Sequence, residues 1–136
     1  MEERDFAGLA GILDGGGDDG RAPLVLLHGL TFDRGMWRPA LDELRRVDPG
    51  RQVLALDLPG HGGSPAWPDY DIGSVAAAVR EAVTAAGLRD PVVVGHSMAA
   101  MIATVYAARY PTRGIVNVDG WLQMEPYLAL VKPMAR

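Results

Sequence analysis

Between Val92 and Ala103 the chain reads VVVGHSMAAMIA, and few folds accept that order of residues. A continuous apolar run suits a parallel strand covered on both faces. The Gly-His-Ser-Met-Ala corner follows at once. Small and apolar residues then run on at helical length to Tyr110, and Pro111 stops them. The stretch is read as a strand, a tight turn presenting Ser97, and a buried helix over Met98 to Tyr110.

The same grammar recurs along the chain. Apolar runs predict strands at Pro23 to Leu27, Val53 to Leu56, Pro91 to Val94 and Gly114 to Val118. Trp37, Leu41 and Leu44 at helical spacing predict a helix over Trp37 to Arg46. A second helix is capped by Asp71 or Ser74 and runs to about Ala86, with Gly87 past its end. Alternating strands and helices imply right-handed crossovers on a parallel sheet, so the fold class is α/β, a mostly parallel sheet with helices on both faces. Residues 1–21 are read as a weak edge strand, Phe6 to Leu13, and a flexible turn at Gly15 to Gly20; their Ala and Gly content makes that strand a poor one. A phosphate-binding reading of these glycines fails, because no convincing strand precedes them and no Gly-Lys-Ser/Thr follows. Residues 22–119 form the core of a single domain.

Composition narrows the functions open to such a sheet. The formal net charge is -4 and Lys/Arg blocks are absent, which argues against nucleic acid as a partner. With 49% hydrophobic and 22% charged residues, the chain has the balance of an ordered globular protein. Without cysteine it has neither a thiol nucleophile nor a thiolate metal site. The amino-terminal stretch is acidic, unlike a signal peptide, and no apolar stretch approaches a membrane span. A soluble cytoplasmic protein with no membrane, metal or cofactor requirement is the expectation.

A serine hydroxyl is a weak nucleophile that needs a base within reach and stabilisation for the oxyanion it creates. A strand-to-helix corner lifts the side chain clear of the sheet and aims the amino end of the next helix at that charge. The corner is cramped, so small residues are needed two before and two after the serine; here these are Gly95 and Ala99. The plainer alternative is that Ser97 merely begins a helix.

Three blocks now point one way: LVLLHGLTFDRGMW (Leu24 to Trp37), VLALDLPGHGGS (Val53 to Ser64) and VVVGHSMAAMIA, with YPTRGIVNVDG (Tyr110 to Gly120) as a weaker fourth. In this order and spacing the chain resembles the amino-terminal half of an α/β-hydrolase-fold protein of the esterase, lactonase and haloperoxidase-like kind. Ala99 departs from the usual Gly-x-Ser-x-Gly pattern by one methyl group. The resemblance implies that the first block's strand lies beside the strand carrying Ser97, at a topological switch point. It further implies an oxyanion hole made by the backbone amides of Leu30 and Met98.

His28 is read as bracing its loop, His61 as structural within a glycine-rich turn, and Asp57 as ordering the loop from Asp57 to Ser64. His96 is a poor base for its own neighbour, since adjacent side chains on an extended segment diverge. Asp119 is a candidate acid: most members of the family place the triad acid one strand later, and some use this position. Trp37 and Trp121 line a pocket or simply pack. The triad histidine, which the family supplies after its last strand, is absent, so the resemblance implies about half of the usual domain, with residues 120–136 resembling the start of a lid.

The expected function is hydrolysis of carboxylic esters, lactones or thioesters through an acyl-enzyme on Ser97, weak or silent in this chain, on a small ester-like substrate. Perhydrolases and carbon-carbon bond hydrolases share the same elbow. The alternative is a non-catalytic remnant that binds a small ligand or self-associates through an open sheet edge at Gly114 to Val118.

Overall fold

The computed structural model describes residues 2–16 and 20–120. Six strands form one sheet: β1 (Glu2–Phe6), β2 (Leu9–Asp14), β3 (Leu24–Leu27), β4 (Val53–Leu56), β5 (Val92–His96) and β6 (Gly114–Val118), in the spatial order β1-β2-β4-β3-β5-β6. The four strands from β3 onward run parallel, with Leu24 opposite both Val53 and Val92, and Val92 opposite Gly114. The chain passes from β3 to β4 through α1 (Arg38–Val47) and returns through α2 (Ile72–Ala85) to β5, on the other side of β3. The crossover therefore reverses direction between β3 and β5. A crevice opens at the carboxyl ends of strands wherever that happens.

Alternation of side chains along each strand divides the core into two layers. Leu26, Val53 and Ala55 face α1 and close over Trp37 and Leu41. Val25, Leu27, Leu54, Leu56 and Val93 point to the opposite face, where Val79 and Val83 of α2 and Ile102 and Tyr106 of α3 (Ala99–Arg109) cover them. Helices thus lie on both faces, as the apolar runs predict. Trp37 packs in the α1 layer at 7% exposure; Trp121 and the predicted start of a lid lie outside the described residues.

The amino-terminal segment differs from the sequence reading. In place of one weak strand from Phe6 to Leu13 there is a hairpin, and its inner strand β2 is not an edge: it pairs antiparallel with β4, Gly11 opposite Leu56. The outer strand β1 is nearly all charged and carries no apolar alternation. Its place is set by the two-residue turn at Ala7 (φ 54) and Gly8 (φ 98), both left-handed as a tight hairpin turn requires. Phe6 and Leu9 flank that turn, pair with each other and are buried in the α2/α3 layer. The first helix also starts differently: Arg34–Trp37 form a 3-10 turn capped by the Asp33 carboxylate on Gly35 N, and α1 follows from Arg38. Of the two candidate caps of α2, Asp71 is the one observed, its side chain accepting from Ser74 N.

Candidate functional site

β5 runs to His96, and the next residue, Ser97, turns the chain with φ 56. A non-glycine residue pays roughly 1–2 kcal/mol to hold that conformation, so the surroundings must enforce it. Ser97 N donates to Val118 O at the end of β6 (2.9 Å), and Ser97 O accepts from Ala100 N in the first turn of α3 (3.0 Å). Gly95 is obligatory here: a Cβ at that position would overlap the backbone of Ala99. Ala99 is itself fully buried, and its methyl group is accommodated.

The structure rejects the plainer reading of Ser97 as a helix cap. The residue at the cap of α3 is Met98, it makes no side-chain capping bond, and the Ser97 hydroxyl has no hydrogen-bond partner among the described residues. The side chain is left available at the amino end of a helix.

The loop after β3 closes on this corner. A Cβ built at Gly29 would stand 3.3 Å from Ser97 Cβ and 2.5 Å from His96 Nδ1, which brings the residue before Leu30 against the serine corner. Neither the Leu30 amide nor the Met98 amide donates to an acceptor among the described residues. The block carrying Ser97 and Met98 and the block carrying Leu30 thus meet, with Gly29 against the serine corner and Leu30 and Met98 lining one cavity.

The surrounding loops are fixed by polar groups that are fully engaged. His28 is buried, its Nε2 accepts from Leu58 N (2.9 Å), and its Nδ1 lies 2.8 Å from Gly29 O. That pattern fixes the neutral ring with the proton on Nδ1, and burial holds the imidazole below its ordinary pKa. His61 Nδ1 lies 3.0 Å from Pro59 O, its Nε2 accepts from Thr31 N (3.4 Å), and the two imidazoles stand 4.9 Å apart. Asp57, 1% exposed, accepts from Arg34 N and Gly63 N, both at 2.8 Å, and pairs with the Arg34 guanidinium. The Ser64 hydroxyl donates to Asp57 O (2.6 Å) and accepts from Ala10 N (2.9 Å). These residues order the loops, as their setting in the sequence suggests. His96 packs edge-on against Phe32, and its Nδ1 is buried without a partner.

Asp119 follows the residue whose carbonyl holds Ser97. It is exposed, has φ 54, and makes no side-chain hydrogen bond among the described residues. The turn beyond it is closed by Asn117, whose amide group exchanges two hydrogen bonds with Gly120.

A cavity of about 250 Å³ is lined by Leu30 and Met98 together with Leu58, Ile72, Val75 and Ile102. Sequence reading misses these walls. Leu58 and Ile72 flank a segment, Pro59 to Asp71, with no periodicity to follow, and Tyr70 on that segment also lines the cavity. Among the described residues no group of His, Cys, Asp or Glu could hold a metal ion, and no helix is long and apolar enough to cross a membrane.

The alpha/beta hydrolase fold family model matches residues 22–135. The putative carbamate hydrolase RutD of Escherichia coli O127:H6 is 34% identical over 108 residues, 76% of this chain and 40% of that protein. The chain therefore spans about two-fifths of the length of the curated relative it matches. Among solved structures, a marine microorganism esterase superposes with a TM-score of 0.76 at 25% identity, covering 94% of this chain and 49% of that one. The N-acyl homoserine lactonase AidH, complexed with N-butanoyl homoserine, superposes with a TM-score of 0.69 at 29% identity, covering 88% and 44%.

Proposed function

For a chain that belongs to the alpha/beta hydrolase fold family, we propose the nucleophile and oxyanion half of a serine hydrolase acting on carboxylic ester, lactone or thioester bonds. Ser97 Oγ attacks the carbonyl carbon, the hydroxyl proton passes to a base, and the carbonyl oxygen takes up negative charge between the amides of Leu30 and Met98. Collapse of that intermediate expels the alcohol or thiol and leaves an acyl group on Ser97, which water then removes. The single observation that carries the reading is the Ser97 hydroxyl, held at φ 56 at the amino end of α3 and without a hydrogen-bond partner among the described residues. Loss of one such donor typically removes about 3 kcal/mol of transition-state stabilisation.

The base is the missing element. His28 and His61 have both ring nitrogens directed at backbone groups, and His96 is the neighbour of Ser97 with its Nδ1 buried. The proposal assigns the base to a histidine outside these 136 residues, in the part of the relatives that this chain does not span. Asp119, exposed and unpartnered, is the candidate to orient it. As given, the chain turns over slowly or not at all. Incubation with a fluorophosphonate in the presence of added imidazole as an external base, followed by mapping by mass spectrometry, tests the assignment: one adduct on Ser97 that forms faster as imidazole rises and is absent from Ser97→Ala is expected, while an adduct elsewhere, or none even at high imidazole, sinks it.

A second reading, a non-catalytic remnant, draws on the same missing base and on β6, the last strand of the described sheet, where Val116 is 45% exposed. Self-association with an inert Ser97 would favour it.

A further inference from the structure

We propose that His61 is a positioning residue for the loop after β3: its Nε2, accepting from Thr31 N, selects the turn form in which Leu30 is presented, a form that Thr31 by itself resists. This rests on the hydrolase reading, in which the Leu30 amide is one of the two oxyanion donors.

The segment after β3 is a four-residue turn. Phe32 N donates to Gly29 O at 3.1 Å, which makes Leu30 and Thr31 its two central residues. Thr31 has φ 71, whereas Leu30 is not among the residues with positive φ, and that combination defines a type II turn. Type II reserves its second central position for glycine or asparagine. A β-branched residue there is an outlier, disfavoured on the order of tenfold. Type I closes the same bond with Thr31 at negative φ, and it accepts most residues.

The two forms differ by a flip of the peptide between Leu30 and Thr31. The Thr31 N–H therefore points to opposite sides in them, and an acceptor on one side decides between them. That acceptor is His61 Nε2, 3.4 Å from Thr31 N. Nδ1 of the same ring lies 3.0 Å from Pro59 O, which can only accept, so the ring proton belongs on Nδ1 and Nε2 is bare. The backbone of His61 is anchored without any help from Thr31: its N donates to Leu58 O (3.0 Å) and its O accepts from Ser64 N (2.9 Å). His28, whose ring stands 4.9 Å away, spends its own Nε2 on Leu58 N and cannot substitute. Gly29 is packed against Ser97 and His96, so a flip would re-aim Leu30 rather than move Gly29.

NMR on the whole chain tests this. A type II turn brings Leu30 Hα against the Thr31 amide proton, and type I brings the Leu30 amide proton there instead. The unsubstituted chain should show the first contact, with the neutral His61 ring protonated at Nδ1. In His61→Phe, which keeps a ring and removes the acceptor, the first contact should weaken and the second appear. Adding Thr31→Gly should restore the first, because glycine adopts positive φ unaided. Imidazole-assisted labelling of Ser97 by a fluorophosphonate should slow roughly fivefold in His61→Phe, the weight of one net hydrogen bond, and recover in the double variant. A loop that had merely been loosened would not recover on gaining a glycine. A neutral ring with its proton on Nε2, a type II turn that persists in folded His61→Phe, a double variant that stays in type I, or labelling indifferent to a flipped turn would each overturn the proposal. The tautomer, read on the unsubstituted chain, tests the acceptor even where His61→Phe does not fold. If Ser97 stays unlabelled in every variant while turn and tautomer behave as stated, the hydrolase reading fails and the selection of the turn by His61 stands.

Discussion

A single buried imidazole carries a measurable share of the site's stability. His28 must be neutral to accept from Leu58 N, and burial holds its pKa below 6.5 in the folded chain. Its contribution is complete above the unfolded value of about 6.5 and disappears as pH falls through the lower folded value, because the unfolded chain then binds the proton more readily. The free energy of urea unfolding should therefore decline as pH falls below about 6.5, and His28→Asn should reduce that slope while lowering stability at neutral pH. An unchanged slope would remove His28 as the cause. Ser97 illustrates the complementary point. Its conformation is unfavourable by itself and is imposed by Val118 on one side and Ala100 on the other, so the corner it occupies is a property of the fold rather than of the residue.

At the level of elements, what could be read in the sequence follows what each element buries. β3, β4 and β5 lie in the interior of the sheet, and their four- and five-residue apolar runs announce them. The strand-to-helix corner at Ser97 was legible because a sharp turn between an apolar run and a helix leaves few choices of residue. β1 buries only Phe6, so its charged sequence gives no period to detect, and the cavity walls come from an irregular segment whose placement depends on Asp57, Arg34 and Ser64 acting from three different places. The hairpin offers a direct check. Ala7 occupies a left-handed position that Asn tolerates far better, and Ala7→Asn would create the favoured Asn-Gly turn. A gain of about 0.5–1 kcal/mol in chemical denaturation is expected, and a loss would contradict the turn's role in setting the register of β1 on β2.

Across the whole molecule, the sheet is covered unevenly. α1 covers Leu26, Val53 and Ala55, whereas Val116 and Val118, on the same face of β6, remain 45% and 36% exposed. Sedimentation velocity at rising concentration should detect association through this region, and Val116→Lys should shift the distribution toward monomer; a monomer at all concentrations would argue against the remnant reading. The bond from Ser97 N to Val118 O has a consequence of another kind. Three neighbouring amides differ in how they meet solvent: that of Ser97 is sheltered and opens only when β6 releases it, whereas those of Leu30 and Met98 are free to trade their protons with water. An oxygen seated between the latter pair would slow their exchange and leave the first as it was, so deuterium uptake at three adjacent positions works as an internal gauge of occupancy, with its own reference built in.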